Sequence, residues 1–169
     1  GGGHTATTAA DGTYAISGLV AGTYTVTPSK AEYTFNPINA SVTVGPSATG
    51  RDFAATQNTY SISGTVAVSG VPLAGVTVTA DDGAGHTGNA TTEADGEYTI
   101  NGLVAGTYTV TPSKAEYTFN PTSSTVSLGP SVTGEDFNAT LSLYSVSGTI
   151  TGSGSPLAGV TVDAGGGHT

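Results

Sequence analysis

Residues 102–121 read GLVAGTYTVTPSKAEYTFNP, and residues 18–37 carry the same letters without one substitution. The same offset of 84 places Tyr60, which opens YSISGTV, onto Tyr144, which opens YSVSGTI. Self-similarity at a fixed period is the mark of tandem structural units. The sequence therefore predicts three segments. Residues 1–59 are the C-terminal part of one repeat, 60–143 a complete β-sandwich repeat, and 144–169 the N-terminal strands of the next.

Apolar residues alternate with threonine and serine through most of the complete repeat. Val76, Val78 and Ala80 are separated by single threonines, and Tyr108 and Val110 follow the same pattern. A period of two puts one side of a strand in a core and the other in water. Asp-Gly, Asn-Gly and proline punctuate these runs, as turns between strands require. The pattern predicts an all-β chain of tandem antiparallel sandwiches of about 84 residues, with no helix.

The order of these runs carries a resemblance to a known family. YSISGTV (60–66), PLAGVTVT (72–79), EYTINGL (97–103) and AGTYTVTPSKAEYTF (105–119) resemble the carboxypeptidase-regulatory-like, prealbumin-type sandwich repeats, which are related to collagen-adhesin B-type domains of prokaryotic surface proteins. The resemblance implies an Ig-like or prealbumin-like fold. It also implies a stalk or spacer role outside the cell or at its surface.

Composition excludes several kinds of partner. The net charge of −9 arises from 12 acidic residues against only Lys30, Arg51 and Lys114. Nucleic-acid binding needs clustered cations, so no nucleic-acid partner is expected. The chain has no cysteine, and it has no apolar run as long as a membrane helix. The sequence thus predicts no thiol chemistry and no membrane insertion in this segment.

Candidate metal ligands are few. His4, His86 and His168 give each repeat one histidine, and a zinc site needs several nitrogen or sulfur ligands. Asp81, Asp82 and Asp95 are candidate calcium ligands, expected on loops near one end of the sandwich. Their spacing matches no EF-hand, and the third segment has glycines where Asp81 and Asp82 stand. Solvated turns are therefore the favoured interpretation, and no metal or cofactor is predicted.

Catalytic residues are not predicted. A nucleophilic serine needs a convergent base and acid, and no G-x-S-x-G elbow occurs in the chain. The repeats also exchange Arg51 for Glu135 at equivalent positions, so neither charge is essential to both units. The sequence predicts that this chain is not an enzyme. Three Asn-x-Ser/Thr triplets mark candidate glycosylation acceptors at Asn39, Asn89 and Asn138.

Two functions remain open. The first is an extracellular filament or stalk of head-to-tail repeats. The second is a cell-surface adhesin or carbohydrate-binding module that would present aromatic rings to sugars, although the phase of the strands favours packing for the rings of Tyr14, Tyr24, Tyr33, Tyr98, Tyr108 and Tyr117.

For the filament, the partner is another copy of the same repeat. An incomplete sandwich exposes apolar residues and strand edges, so each split repeat needs completion. Completion can occur within one long chain or between chains by strand exchange. The residues expected to act in this assembly are Tyr144, Val146, Ile150, Val160 and Val162.

Overall fold

A computed structural model describes residues 3–166, and every regular element in that range is a β-strand. This confirms the predicted all-β class. The strands, numbered along the chain, are β1 (Gly22–Val26), β2 (Tyr33–Asn36), β3 (Ala40–Val44), β4 (Ala54–Gln57), β5 (Tyr60–Val68), β6 (Val71–Pro72), β7 (Thr77–Asp81), β8 (Thr87–Thr91), β9 (Glu97–Leu103), β10 (Gly106–Ser113), β11 (Tyr117–Asn120), β12 (Ser124–Leu128), β13 (Phe137–Leu141), β14 (Thr151–Gly152) and β15 (Ser155–Pro156).

The alternation of side chains explains why these segments form strands. In β7, Val78 and Ala80 are fully buried, while the threonines beside them are exposed. In β10, Tyr108 and Val110 are fully buried between exposed threonines. Successive side chains of a strand point to opposite faces. Each strand therefore supplies apolar groups to the core and hydroxyl groups to the solvent.

The strands of residues 60–141 form two sheets around one core. One sheet has the order β12-β10-β7-β8, and the other has the order β11-β13-β5-β6, with β9 also paired to β5. Both sheets contribute to the buried cluster, whose largest fully buried side chains are Tyr108, Phe137, Ile62 and Ile100. This arrangement confirms the predicted Ig-like sandwich. The repeat length of about 84 residues and the division into three segments stay predictions.

One strand pair departs from the antiparallel pattern that the sequence predicted. β13 runs parallel to β5, with Phe137 opposite Val66 and Ala139 opposite Val68. The isolated bridge between Ile62 and Val132 is parallel as well. Parallel and antiparallel strands share the two-residue period. Alternation in the sequence therefore could not separate the two kinds of pair.

The parallel pair determines where the chain enters and leaves the unit. The chain enters along β5 from Tyr60 and leaves along β13 at Leu141, and both strands point the same way. Along this register, at about 3.3 Å per residue, entry and exit lie roughly 30 Å apart. The following unit therefore begins at the end opposite to the preceding one.

A close backbone approach holds β5 against the last part of the unit. The Ser63 N–H donates to the Val132 carbonyl at 3.0 Å, and the Glu135 N–H donates to the Ser63 carbonyl at 3.1 Å. A Cβ atom placed on Gly64 would overlap the Glu135 carbonyl. Close packing of two backbones, rather than an unusual backbone angle, therefore requires glycine at this position.

Replacing Gly64 with alanine tests this approach. We expect Gly64→Ala to lower the free energy of unfolding of the complete unit by about 3 kcal/mol or more, because the added methyl group meets backbone that cannot rotate away. Denaturant unfolding followed by tyrosine fluorescence measures the change. Gly148→Ala is the matched control, since nothing lies within 4 Å of its Cβ position. Equal stability of the two variants, measured where the chain is monomeric, would contradict the packing described.

Candidate assembly surfaces

Glu32 contacts the linker that connects β4 to β5, here called the first joint. Its backbone carbonyl accepts a hydrogen bond from the Asn58 N–H at 2.9 Å. Its carboxylate accepts another from the Tyr60 hydroxyl at 2.7 Å. The φ angle of Glu32 is 63°, in the left-handed region that few residues with side chains occupy. Because of this turn, both the backbone and the side chain of Glu32 contact the short linker that precedes Tyr60.

The second joint contains the same turn but only one of the two hydrogen bonds. Glu116 has a φ angle of 67°, and its carbonyl accepts a hydrogen bond from the Ser142 N–H at 2.7 Å. Tyr144, the counterpart of Tyr60, is 81% exposed. Sequence reasoning missed this role of the glutamate, although its place inside the identical twenty-residue block was a signal that the turn recurs.

Residues 3–59, here called the acceptor half-unit, hold part of a sandwich. β1 pairs with β3 in the register in which β10 pairs with β12. β2 pairs with β4 as β11 pairs with β13. Residues 13–19 occupy the sequence position of β9 but form no strand, because β9 is held by β5 and the acceptor half-unit has no counterpart of β5. Residues 3–59 therefore keep these two strand pairs and do not include the opening strands of a unit.

The core face of the acceptor half-unit is partly open. Tyr24 and Val26 are only half-buried, whereas their counterparts Tyr108 and Val110 are fully buried. The Tyr14 hydroxyl still donates to the Arg51 carbonyl at 2.7 Å. The Tyr98 hydroxyl makes the equivalent bond to the Glu135 carbonyl, also at 2.7 Å. The half-unit thus has the local geometry of the complete unit without its enclosed core.

Residues 144–166, here called the donor segment, present the missing part. The hairpin of β14 and β15 repeats the register of β5 and β6. The rest of the segment forms no strand. The five residues predicted to act in assembly are all exposed: Tyr144 81%, Val146 97%, Ile150 41%, Val160 45% and Val162 75%. Their counterparts in the complete unit are Tyr60, Ile62, Val66, Val76 and Val78, of which the last four are fully buried.

Both surfaces leave groups exposed that are covered in the complete unit. The donor segment exposes apolar side chains in a regular alternation, and the acceptor half-unit has strands without neighbours on one edge. Exposed apolar area and unpaired strand edges both favour association. These surfaces are therefore the places where an adjoining repeat, in the same longer chain or in another copy, is expected to pack.

The three candidate calcium ligands do not come together. Asp81 and Asp82 lie where β7 turns into β8, and Asp95 lies in the turn that follows β8. Successive turns of adjacent antiparallel strands lie at opposite ends, so the predicted location of all three near one end was wrong. Across the part of the chain that the structure describes, no group of three or more His, Asp or Glu side chains is arranged to hold a metal ion.

The aspartates instead accept hydrogen bonds from their own turns. The Asp81 carboxylate accepts one from the Gly83 N–H at 2.8 Å, and the Asp95 carboxylate accepts one from the Glu97 N–H at 3.0 Å. Asp82 lies 2.6 Å from His86 Nδ1 and accepts from the Ala84 N–H at 2.8 Å. These contacts are those of short polar residues that stabilise turns.

The hydrogen bond with His86 holds the pKa of Asp82 at about 2, below its ordinary value of 3.8, and the backbone N–H groups of Ala84 and His86 add to this effect. A depressed carboxyl pKa stabilises the turn above the ordinary pKa, and that contribution disappears as the pH falls through the folded value. His86 itself is exposed. His4 lies beside Gly18 and is also exposed, and His168 lies outside the described residues.

The candidate glycosylation acceptors and the tyrosines differ in accessibility. Asn39, Asn89 and Asn138 are exposed, so glycosylation at each stays a prediction. Tyr98 and Tyr108 are buried, which confirms the packing role expected from the phase of their strands. Burial, together with the charges of Glu135 and Asp136, raises the pKa of Tyr98 above its usual range. These two rings do not offer their faces to a ligand.

The fold and these surfaces define a β-sandwich module, and comparison with known proteins gives its family. Residues 61–142 match the carboxypeptidase regulatory-like domain. This match covers the complete unit, 82 of the 169 residues, and confirms for that unit the family resemblance that the sequence indicated. The matched unit is an Ig-like β-sandwich of a non-catalytic kind.

The chain is also similar to a much longer protein. It is 42% identical over 118 residues to chitinase ChiA of Flavobacterium johnsoniae, and the matched part is 68% of this chain but 7% of that protein. A stretch of this length necessarily includes the joint at residues 58–60. In residues 3–166, no helix is long and apolar enough to cross a membrane.

The hydrogen bond at the first joint predicts a change in tyrosine ionisation. Donation to the Glu32 carboxylate raises the pKa of Tyr60. We expect Glu32→Gln to lower this pKa, because the variant removes the negative charge that favours the protonated phenol. Titration of ring-labelled tyrosine by NMR, with Tyr60→Phe for assignment, measures the pKa. Glu116→Gln is the matched control and should leave the pKa of Tyr60 unchanged. An unchanged Tyr60 pKa in Glu32→Gln would rule out the hydrogen bond between Tyr60 and Glu32.

The turn between β7 and β8 predicts a second titration. We expect His86→Ala to raise the pKa of Asp82 from about 2 towards 3.8, because the variant removes the strongest of its hydrogen bonds. The Cγ chemical shift of Asp82 between pH 1.5 and pH 6 provides the measurement. His4→Ala serves as the control for loss of a histidine elsewhere. If the pKa of Asp82 stays near 2 in His86→Ala, the backbone donors alone account for its depression.

Proposed function

We propose that the chain is a structural spacer, part of a head-to-tail array of sandwiches that forms an extended stalk or filament of an extracellular or cell-surface protein. The observation that carries this proposal is the parallel pairing of β5 with β13. Because the first and last strands of the unit point the same way, every added unit moves the chain onward. A unit with antiparallel first and last strands would return the chain to its starting end.

The short linkers between units favour a stiff, extended array over one whose units rotate freely. Only two residues, Asn58 and Thr59, separate β4 from β5, and only two, Ser142 and Leu143, separate β13 from Tyr144. At the first joint the Glu32 backbone and side chain hold the linker at both of its ends. A short linker that makes hydrogen bonds on both sides limits the relative rotation of the units.

The surface is suited to a solvent-exposed spacer. The outward positions of β7 and β10 are mostly threonine, and the net charge is −9. Uniform negative charge keeps neighbouring arrays apart and soluble. The candidate glycosylation acceptors lie on this exposed surface, and glycans there would act in the same direction.

The similarity to chitinase ChiA supports a place within a larger protein. Because the similar stretch runs through a joint, the relationship includes the connection between units as well as a single fold. The matched part is a small fraction of that protein, which is the expected proportion for an accessory module. We propose an extracellular location and no catalytic activity for the present chain on this basis and on that of its family.

Sugar binding is the second candidate function, and the name of the relative favours it. Chitin is a polysaccharide, and modules beside a catalytic region can bind its substrate. The geometry gives it less support, because Tyr98 and Tyr108 are buried and the exposed face of β7 and β10 carries threonine. The spacer function therefore accounts for more of the structure.

The length of engineered arrays tests the spacer function. We expect polypeptides with two, three and four copies of residues 60–143 to lengthen by roughly 40 Å per copy in small-angle X-ray scattering, because entry and exit lie at opposite ends of each unit and the linker adds to their separation. Arrays whose maximum dimension grows with the cube root of mass would contradict the proposal. Retention of the same arrays on chitin beads, lost in a variant that keeps its melting temperature, would establish sugar binding instead.

A further inference from the structure

We propose that Asn101 is a site of spontaneous covalent modification, where the side-chain amide is lost as ammonia and the main chain rearranges to isoaspartate. Asn101 precedes Gly102 in the one Asn-Gly pair of the sequence. Both residues are exposed. The inference goes beyond the spacer function and is independent of it, because it concerns the chemistry of a single unit.

The Asn-Gly pair forms a β-bulge in β9. β5 has a single residue, Ser61, between the two positions that pair with Ile100 and Leu103, whereas β9 has two residues there, Asn101 and Gly102. Two residues opposite one is the definition of a bulge, and the extra residue is left without a ladder partner. Gly102 has a φ angle of 77°, in the left-handed region that glycine occupies without strain. The bulge therefore accounts for the glycine at this position.

The neighbouring strand does not hold the bulge in place. The Ser61 N–H donates to the Ser131 hydroxyl at 3.0 Å, and the Ser61 carbonyl accepts from the Val132 N–H at 2.9 Å. Ser61 thus uses both of its backbone groups on the side of β5 away from β9. A Cβ atom built on Gly102 would meet nothing within 4 Å. The Asn101 side chain and the Gly102 amide therefore have open space around them.

These features suit an intramolecular reaction of asparagine, a thermolabile residue. The Gly102 backbone nitrogen loses its proton and attacks Cγ of Asn101, and the side-chain nitrogen leaves as ammonia. The product is a five-membered succinimide ring, favoured because both reacting groups belong to adjacent residues. Water then opens the ring. Attack at Cγ gives aspartate, and attack at the main-chain carbonyl gives isoaspartate, so that one water enters for each ammonia that leaves.

Isoaspartate would disturb two buried side chains. Ile100 and Leu103 are 1% and 3% exposed. A Cβ atom on Gly88 of β8 would lie 2.8 Å from Ile100 and 3.0 Å from Leu103, so both side chains pack against that strand. Strict alternation places residues three apart on opposite faces, and the bulge is what brings both into the core. Isoaspartate inserts a further main-chain carbon between them and removes this match.

The first unit contains a natural comparison. Ser17 precedes Gly18 at the positions 84 residues earlier, and the φ angle of Gly18 is 75°. Serine has no carboxamide, so it cannot form the succinimide. The modification is therefore specific to the unit of residues 60–143, and Asn101→Ser is a replacement that the same backbone already carries elsewhere in the chain.

Peptide mapping of the folded 169-residue chain by mass spectrometry, during incubation at pH 8 and 37 °C, tests the reaction. We expect the mass at Asn101 to rise by one dalton, with isoaspartate and aspartate both identified by electron-transfer fragmentation. Asn39, Asn89 and Asn138 should stay unmodified over the same time, because each precedes alanine, whose Cβ hinders the attack. In water enriched in oxygen-18 the gain should be three daltons, since the new oxygen comes from the solvent.

The melting temperature of the modified chain tests the effect on packing. The products carry one more negative charge than the unmodified chain, so ion exchange separates them. We expect the isoaspartate fraction to melt about 5 °C or more below the unmodified chain, as a moderate loss of packing in a domain of this size would produce. Asn101→Asp has the same added charge on an ordinary main chain and should melt with the unmodified chain. Asn101→Ser should show neither the mass gain nor the lower melting temperature.

Three results would overturn the inference. The first is equal reactivity of Asn101 and the three asparagines that precede alanine in the folded chain, with fast reaction of Asn101 only after unfolding in urea. The second is a product that contains aspartate without isoaspartate, which would exclude the succinimide. The third is an isoaspartate fraction that melts with the unmodified chain. None of these results bears on the extension of tandem arrays, which tests the spacer function alone.

Discussion

The parallel pairing of β5 with β13 is the constraint on which the rest of the structure depends. It places the last strand of the unit beside the first strand, with both strands pointing the same way. The backbones are so close that Gly64 has no room for a side chain. From that pair follow the separation of entry and exit and the position of each joint. The apolar core of the unit gives stability, and this pair gives the chain the single direction on which the proposed array depends.

The same pair explains why β5 is central to the core of the unit. β5 lies between β9 and β13, so it supplies two strand neighbours and the buried side chains of Ile62 and Val66 together. Residues 3–59 include no counterpart of β5, and there residues 13–19 form no strand and Tyr24 is only half-buried.

Much of the fold could be predicted from the sequence. The alternation around Val78 and Tyr108 indicates strands, and the recurrence of residues 18–37 indicates tandem units. The direction of β13 could not be predicted, because parallel and antiparallel strands use the same side-chain period. The location of the aspartates was wrong for a related reason. Asp82 and Asp95 are close in sequence, yet a single strand of five residues, β8, places them at opposite ends.

The apolar residues of the candidate site could be predicted from the sequence, but the contacts that depend on backbone conformation could not. Val146 and Val162 were expected in assembly because their repeat counterparts belong to a core. The role of Glu32 depends on a left-handed turn and on hydrogen bonds to the linker, neither of which has a side-chain signature.

The most direct test of the account is the distance between entry and exit within a single unit. Spin labels on cysteines introduced at Thr59 and Leu143, in a chain without other cysteines, allow that distance to be measured by pulsed electron paramagnetic resonance. The parallel pairing of β5 and β13 predicts a narrow distribution centred at roughly 40 Å. A distribution centred below about 15 Å, the spacing of a few neighbouring strands at one end of a sheet, would contradict the account.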